Sequence, residues 1–244
     1  MRISLFFETA MIILFLLGTS AVLQCRTAQQ TDPIPLPDPD LKGKTSLETT
    51  LDNRRSHREY RDAPLSLKTL GQILWAAQGI NEKHPRPAAY WGDRPWPGGL
   101  RTAPSAGALY PLDIYVAVGN VDDVPAGIYR YLPGKHALEL TAEGDRRKEL
   151  ARAALNQPPV ENGAAVVIIS GVYARCAAKY GDRAQRYTHI ETGHVGQNIY
   201  LQAESLGLGT VMVGAFNDRQ VQSVLDLSRE EIPLALMPIG HKVH

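Results

Sequence analysis

Ala164-Ala-Val-Val-Ile-Ile-Ser170 is an apolar run of strand length with no polar residue between its ends. A half-buried strand alternates apolar with polar residues, whereas an unbroken β-branched run suits a strand covered on both faces. Layers on both sides are therefore expected, and the flanking sequence supplies them. Upstream, Asp113-Ile-Tyr-Val-Ala-Val118 has strand composition, and Gly127-Ile-Tyr-Arg-Tyr-Leu132 with His136-Ala-Leu-Glu-Leu140 flanks Pro133-Gly-Lys135 as a hairpin. Downstream, a long helix from Thr188 to Leu206 ends at Gly207, and strands Thr210–Val213 and Leu234–Ile239 enclose a short helix, Asp218–Leu225.

Toward the amino terminus, Ser46 caps a helix running through Leu47 and Leu51 toward Arg54, with Glu48 in its first turn. Ser66 caps a second, in which Leu67, Leu70, Ile73, Leu74 and Ala77 recur at helical spacing and Gly79 marks the end. Asn81 to Leu100 is rich in Pro, Gly and Trp and reads as a long loop or lid. A helix from Asp145 to Leu155 precedes the central run. The fold class is α+β: a central mixed, mainly antiparallel sheet flanked by helices.

With 26 basic and 25 acidic residues the net charge is +1, so no single-sign field favours nucleic acid. The two cysteines, Cys25 and Cys176, form no Cys-x-x-Cys pair. Glu191 and His194 share a helix face, but such a pair is more often an ordinary polar contact than a metal site, and no metal is expected. Residues 1–28 contain an apolar run from Ala10 to Leu23 after Arg2, a signal peptide or membrane anchor. Thr19 and Ala21 fit a small-x-small cleavage site, and Gln24-Cys25 half resembles a lipoprotein signal. The protein is accordingly expected in the cell envelope, exported or attached to a membrane through this segment. Residues 29–40, with Asp32-Pro-Ile-Pro-Leu-Pro-Asp-Pro-Asp40, read as an extended linker, and 41–244 as the folded domain.

Four segments carry candidate chemistry. Arg54-Arg-Ser-His-Arg58 places three guanidiniums, Arg54, Arg55 and Arg58, around the Ser56 hydroxyl, a set suited to a phosphate monoester. Arg101-Thr-Ala-Pro-Ser-Ala-Gly-Ala-Leu-Tyr-Pro111 is a small-residue loop whose backbone can approach a flat ring. The helix Thr188–Ala203 carries polar groups at helical spacing, as if packed against another subunit or a ligand. Gly207-Leu-Gly-Thr-Val-Met-Val-Gly-Ala-Phe216 is not a dinucleotide fingerprint, because its glycines precede the strand.

Arg-Arg-Ser-x-Arg, Pro-Ser-Ala-Gly-Ala-x-Tyr-Pro, Lys-Tyr-Gly-Asp-Arg, Glu-x-Gly-His-x-x-Gln-Asn, Gly-Leu-Gly and Pro-x-Gly follow one another from Leu47 to Lys242. In this order they resemble the nitroreductase superfamily, and within it the branch of azoline (thiazoline and oxazoline) dehydrogenases. The resemblance implies a homodimer with FMN at the subunit interface. It implies that Arg54 and Ser56 hold the FMN phosphate, with Arg55 among the cofactor-binding residues, and that Arg58 reaches the pyrimidine edge, where a cation favours the reduced, anionic ring. By the same resemblance Pro104, Ser105, Ala106 and Gly107 cover the flavin of the neighbouring subunit. Gln157 touches the ribityl chain or ring, Val213, Gly214 and Ala215 offer backbone near N5, and Lys242 adds charge at the phosphate. Lys179 and Tyr180 match the pair that transfers protons in the azoline dehydrogenases.

The expected activity is a ping-pong transfer of hydride or electrons through FMN, from NADH or NADPH to a small quinone, nitro or related acceptor. Two alternatives stand beside it: dehydrogenation of an azoline-like ring in a modified peptide or small heterocycle, and a non-catalytic flavin-binding protein of the envelope.

Overall fold

The computed structural model describes residues 32–83 and 99–243. The leader, Cys25 and most of the Asn81–Leu100 loop lie outside the described residues. Among those described, no helix is long and apolar enough to cross a membrane.

Strands β1 (Ile34–Pro35), β2 (Tyr60–Arg61), β5 (Leu112–Val118), β6 (Gly127–Leu132), β7 (Ala137–Glu143), β8 (Ala165–Gly171) and β10 (Ile232–Lys242) form one sheet in the order β1-β7-β6-β5-β8-β10-β2. β9 (Leu208–Thr210) pairs with the far end of β10. The ladders are antiparallel, with a parallel bridge joining Leu65 to Val121. A separate pair, β3 (Ile80–Glu82) with β4 (Leu100–Arg101), brackets the expected lid.

The central run is β8, paired with β5 on one side and β10 on the other. Ala165, Val167 and Ile169 enter one core and Val166 and Ile168 a second, on opposite faces of the sheet. That division explains the unbroken apolar sequence: each parity of residue has its own layer to fill. The first core packs against α2 (Leu67–Gln78) through Leu70, Ile73 and Leu74, and against the long helix through Val195, Ile199 and Ala203. The second takes Leu150 from α3 (Arg147–Ala153), Val160 from α4 (Pro158–Asn162) and Val221 and Leu225 from the penultimate element of the chain. Each fully buried aliphatic side chain contributes roughly 1.5–3 kcal/mol.

The caps read in sequence are present. Ser46 accepts from Thr49 N at the start of α1 (Leu47–Asn53), and Ser66 accepts from Thr69 N at the start of α2. Gly79 ends α2 for another reason than expected. Its φ is −64°, and a Cβ there would lie 2.2 Å from Trp75 Cδ1. The glycine makes room for the indole; it does not supply a left-handed turn.

Several elements differ from expectation. The proline-rich segment is not wholly a solvated linker, because Ile34 and Pro35 pair with Leu138 and Ala137 and Leu36 is buried. Sheet edges recruit extended chain, and a polyproline-like segment is already extended. The helix expected at Asp145–Leu155 stops at Ala153, where Leu155 and Asn156 turn left-handed with φ of 58° and 59° before Pro158 starts α4. Helix α5 (Tyr173–Tyr180) precedes α6 (Ala184–Ser205), the long helix, which begins four residues before Thr188. The last helix, α7, spans Asp218–Leu225 as read. The strand expected at Thr210–Val213 is displaced: β9 pairs from Leu208, and Val213 meets Leu236 in a single bridge.

Candidate active site

The basic segment leaves the end of α1 and lies across β9 and β10. Glycines decide how closely it lies. A Cβ on Gly209 would stand 2.8 Å from His57 Cβ, and one on Gly240 would stand 2.7 Å from Tyr60 Cβ. The Gly-Leu-Gly and Pro-x-Gly motifs therefore seat residues 57–60 on the sheet, where His57 N donates to Thr210 O at 2.9 Å.

Tyr200 of α6 organises this segment. Its hydroxyl lies 3.0 Å from Ser56 Oγ and accepts from Met212 N at 2.8 Å, while the Arg54 guanidinium stands 5.1 Å from its ring centroid. Among the described residues, Arg54, Arg55 and Arg58 make no ion pair with a carboxylate. Three guanidiniums without an internal anion, beside a hydroxyl, fit a phosphate ligand. The Thr210 hydroxyl is also buried without a partner. Burial, and then the Lys242 charge, lowers the His57 pKa, so that side chain favours its neutral form.

Lys242 behaves differently from the arginines. Its ammonium bonds both Glu204 carboxylate oxygens, at 2.7 and 2.8 Å, so an internal anion already balances its charge.

From Met212 the chain runs through buried Val213 to exposed Gly214 and Ala215, with open space where a Cβ on Gly214 would project. Gln157 fixes the end of this segment, its Nε2 donating to Ala215 O at 2.9 Å and to Ala154 O at 3.0 Å. The structure thus connects Arg54, Ser56, Val213, Gly214, Ala215 and Gln157 through Tyr200.

The Pro104–Gly107 loop sits elsewhere on α6. His194 Nδ1 lies 3.3 Å from Pro104 O, and the loop carries φ of 62° at Gly107, 52° at Ala108 and 47° at Tyr110. Non-glycine residues held there cost of order 1–3 kcal/mol each and persist only when neighbours over-determine them. Those neighbours are identifiable. Tyr110 N donates to Ser105 Oγ at 3.0 Å, Arg101 N donates to Tyr110 Oη at 3.1 Å, and the Arg101 guanidinium stands 4.5 Å from the Tyr110 ring centroid. Arg175 reaches Tyr110 O at 3.4 Å while its other nitrogen pairs with Asp113 at 2.6 Å.

Lys179 and Tyr180 close α5, with the Lys179 ammonium 5.1 Å from the Tyr180 ring centroid and Tyr180 edge-on to Tyr187 at 5.0 Å. Three groups are therefore strung along α6, at Tyr187, at Glu191 to His194, and at Tyr200. A rise of 1.5 Å per residue separates the first from the last by about 20 Å, and the 100° step turns Tyr200 to the opposite side of the helix from Glu191. The loop and Lys179-Tyr180 thus attach to α6 at other levels than the basic segment does.

Sequence reasoning missed Tyr200, Gln78 and Arg101, whose roles depend on partners far away in the chain. Glu191 was read only as a possible neighbour of His194. It is 2% exposed and bonded to Gln78, whereas His194 is exposed and turned to Pro104. No group of residues able to hold a metal occurs among those described. A groove of about 400 Å³ between α1, α2 and α6, lined by Leu41, Leu47, Trp75 and Asn198 among others, contains none of the basic side chains.

Comparison with known proteins identifies the family. A protein of Methanocaldococcus jannaschii that carries a nitroreductase name is 44% identical over 205 residues, covering 84% of this chain and 95% of that protein. A crystal structure from Ralstonia eutropha, also under a nitroreductase name, superposes with a TM-score of 0.69 at 30% identity, covering 88% and 92% of the two chains. The microcin B17-processing protein McbC of Escherichia coli is 29% identical over 155 residues, which cover 60% of this chain and 56% of McbC. The chain thus spans just over half of that relative. The family model described as "Nitroreductase family" matches residues 51–241, and the chain belongs to the nitroreductase family.

Proposed function

We propose that the protein is an FMN-dependent oxidoreductase, working as a homodimer, that passes electrons from NADH or NADPH to a small quinone, nitro or related acceptor. The observation that carries this reading is the basic segment Arg54–Arg58, which among the described residues makes no ion pair with a carboxylate and whose Arg54 and Ser56 meet Tyr200, itself bonded to Met212 N at the start of the chain leading to the exposed backbone of Gly214 and Ala215. Arg54, Arg55 and Ser56 would hold the phosphate, and Arg58 would lie at the pyrimidine edge. Gln157 would brace residues 213–215 beside the ring. Lys242, engaged by Glu204, would contribute little charge there. When bound, FMN supplies two-electron transfer.

The homodimer rests on the placement along α6. The Pro104–Gly107 loop meets α6 at His194, whereas the basic segment meets it at Tyr200, and a second copy would bring its loop, with Pro104, Ser105, Ala106 and Gly107, to that segment. Leu41 and Leu47, 75% and 59% exposed and lining the groove beside α6, support an interface. The leader motivates attachment at the cell envelope.

A second reading is favoured by the relationship to McbC and by the exposed Lys179 beside Tyr180. In it the protein removes hydrogen from an azoline-like ring, and Lys179 and Tyr180 take up the proton.

The test is to purify the full chain, release its flavin by denaturation, identify it by chromatography, and assay NADPH oxidation with a quinone. FMN and turnover are expected. A colourless protein that FMN does not reconstitute would overturn the reading.

A further inference from the structure

The chain between β4 and β5 is held at both ends and closed in the middle by one side chain. At its start, Thr102 N donates to Gly79 O at 2.9 Å and Thr102 Oγ1 donates to Trp75 O at 3.0 Å, which fixes it to the end of α2. At its finish it enters β5 at Leu112. Between these ends, the Tyr110 hydroxyl accepts from Arg101 N at 3.1 Å, and Tyr110 N donates to Ser105 Oγ at 3.0 Å. Tyr110 thus joins the base of the loop to its middle.

The backbone conformation makes that side chain informative. Tyr110 has φ of 47°, a conformation that glycine adopts without steric cost and that strains a tyrosine. Side-chain contacts must offset the strain, and they are present. The Tyr110 side chain is buried, and the Arg101 guanidinium stands 4.5 Å from its ring centroid. That guanidinium is itself fixed, because Nη1 donates to Oε1 of the buried Gln78 in α2 at 3.0 Å and to Leu112 O in β5 at 3.4 Å. Among the described residues it makes no ion pair with a carboxylate. Its planar shape, presented to a ring on one side and to two neutral oxygens at its rim, sets the geometry, and a lysine ammonium would not reproduce it.

We propose that Tyr110, seated by Arg101, is a positioning residue that presets the Pro104–Gly107 loop in the shape that covers flavin. The proposal rests on the reading above, in which this loop reaches the FMN of the neighbouring subunit. Loop order is then supplied before the flavin arrives, so that binding does not have to include its cost.

The experiment compares the full chain with Tyr110→Gly, which suits the backbone but removes the closure. Amide hydrogen exchange at residues 102–109 without flavin should lose about tenfold in protection, and FMN affinity by flavin fluorescence should fall by about tenfold. Unchanged protection overturns the proposal. Mixed dimers, isolated with two affinity tags, pair a Tyr110→Gly subunit with an Arg54→Ala, Ser56→Ala subunit. The intact loop of the second then meets the intact basic segment of the first, so one FMN per dimer should bind with wild-type affinity. A merely structural defect would damage the site on its own subunit, and the absence of a restored site overturns the positioning role. Should Tyr110→Gly not fold, Tyr110→Phe decides. It keeps the ring beside the guanidinium but leaves Arg101 N–H without that acceptor, so protection should fall by about threefold, and unchanged protection overturns the proposal. Exchange as expected in a wild type that binds no FMN supports the fastening and refutes the cofactor reading.

Discussion

The hydroxyls of Ser56 and Tyr200 meet at 3.0 Å across 144 residues of chain, and the same tyrosine oxygen accepts the Met212 amide at 2.8 Å. One side chain thereby ties the basic segment to the backbone leading into Gly214. Tyr200→Phe keeps the ring beneath Arg54 but leaves the half-buried Met212 N–H without its partner, at a cost of roughly 1–3 kcal/mol. Urea denaturation should register that loss. FMN titration should show weaker binding by about an order of magnitude, and unchanged affinity would mean that the tie does not shape the flavin site.

Gly209→Ala and Gly240→Ala push against the same segment from below. The added Cβ would meet His57 at 2.8 Å in one case and Tyr60 at 2.7 Å in the other, so residues 57–60 must lift. Overpacking of this kind costs roughly 1–3 kcal/mol. Both variants should melt lower and retain less flavin on gel filtration than wild type.

Asp113 sets a limit in acid. Burial raises its pKa, but the hydrogen bond and charge of Arg175, with Arg130 behind them, outweigh burial and hold it below its ordinary 3.8. Its contribution is therefore present above that value and lost as pH falls through the lower folded-state value. Arg175→Met removes the stronger partner and frees Tyr110 O, for a loss of roughly 1.5–3 kcal/mol at neutral pH. The midpoint of acid unfolding, followed by circular dichroism, should move to higher pH.

Arg58→Ala tests the proposed position of that guanidinium. Losing a cation near the pyrimidine edge destabilises the reduced anionic flavin more than the neutral oxidised ring. The reduction potential should fall by roughly 30 mV, about 1.4 kcal/mol for a two-electron couple. Spectroelectrochemistry measures it; an unchanged potential at full occupancy would place Arg58 elsewhere.

Lys179→Ala and Tyr180→Phe separate the two proposed activities. A positioned base typically contributes ~10²–10⁴-fold, and azoline oxidation needs one whereas quinone reduction does not. On flavin-replete protein both variants should cripple the first and leave the second within about tenfold. Equal loss of quinone reduction would give the pair a structural role.

Much of this was legible in the chain because it depends on neighbours in sequence. Ser46 and Ser66 cap helices three residues away, and the Ala164–Ser170 run displays its two-sided burial without reference to anything else. The motif order also identified the family. What the sequence could not disclose was set by contacts between distant residues: that Gly209 and Gly240 seat a loop, that Lys242 is held by Glu204, and that Tyr200 joins Ser56 to Met212. The state of Glu191 belongs with these. An acidic residue in an amphipathic pattern reads as a solvated face, and only burial in the assembled fold, beside Gln78, raises its pKa to about 7. Local sequence fixes backbone preference and periodicity, whereas burial and charge balance are properties of the assembled layers.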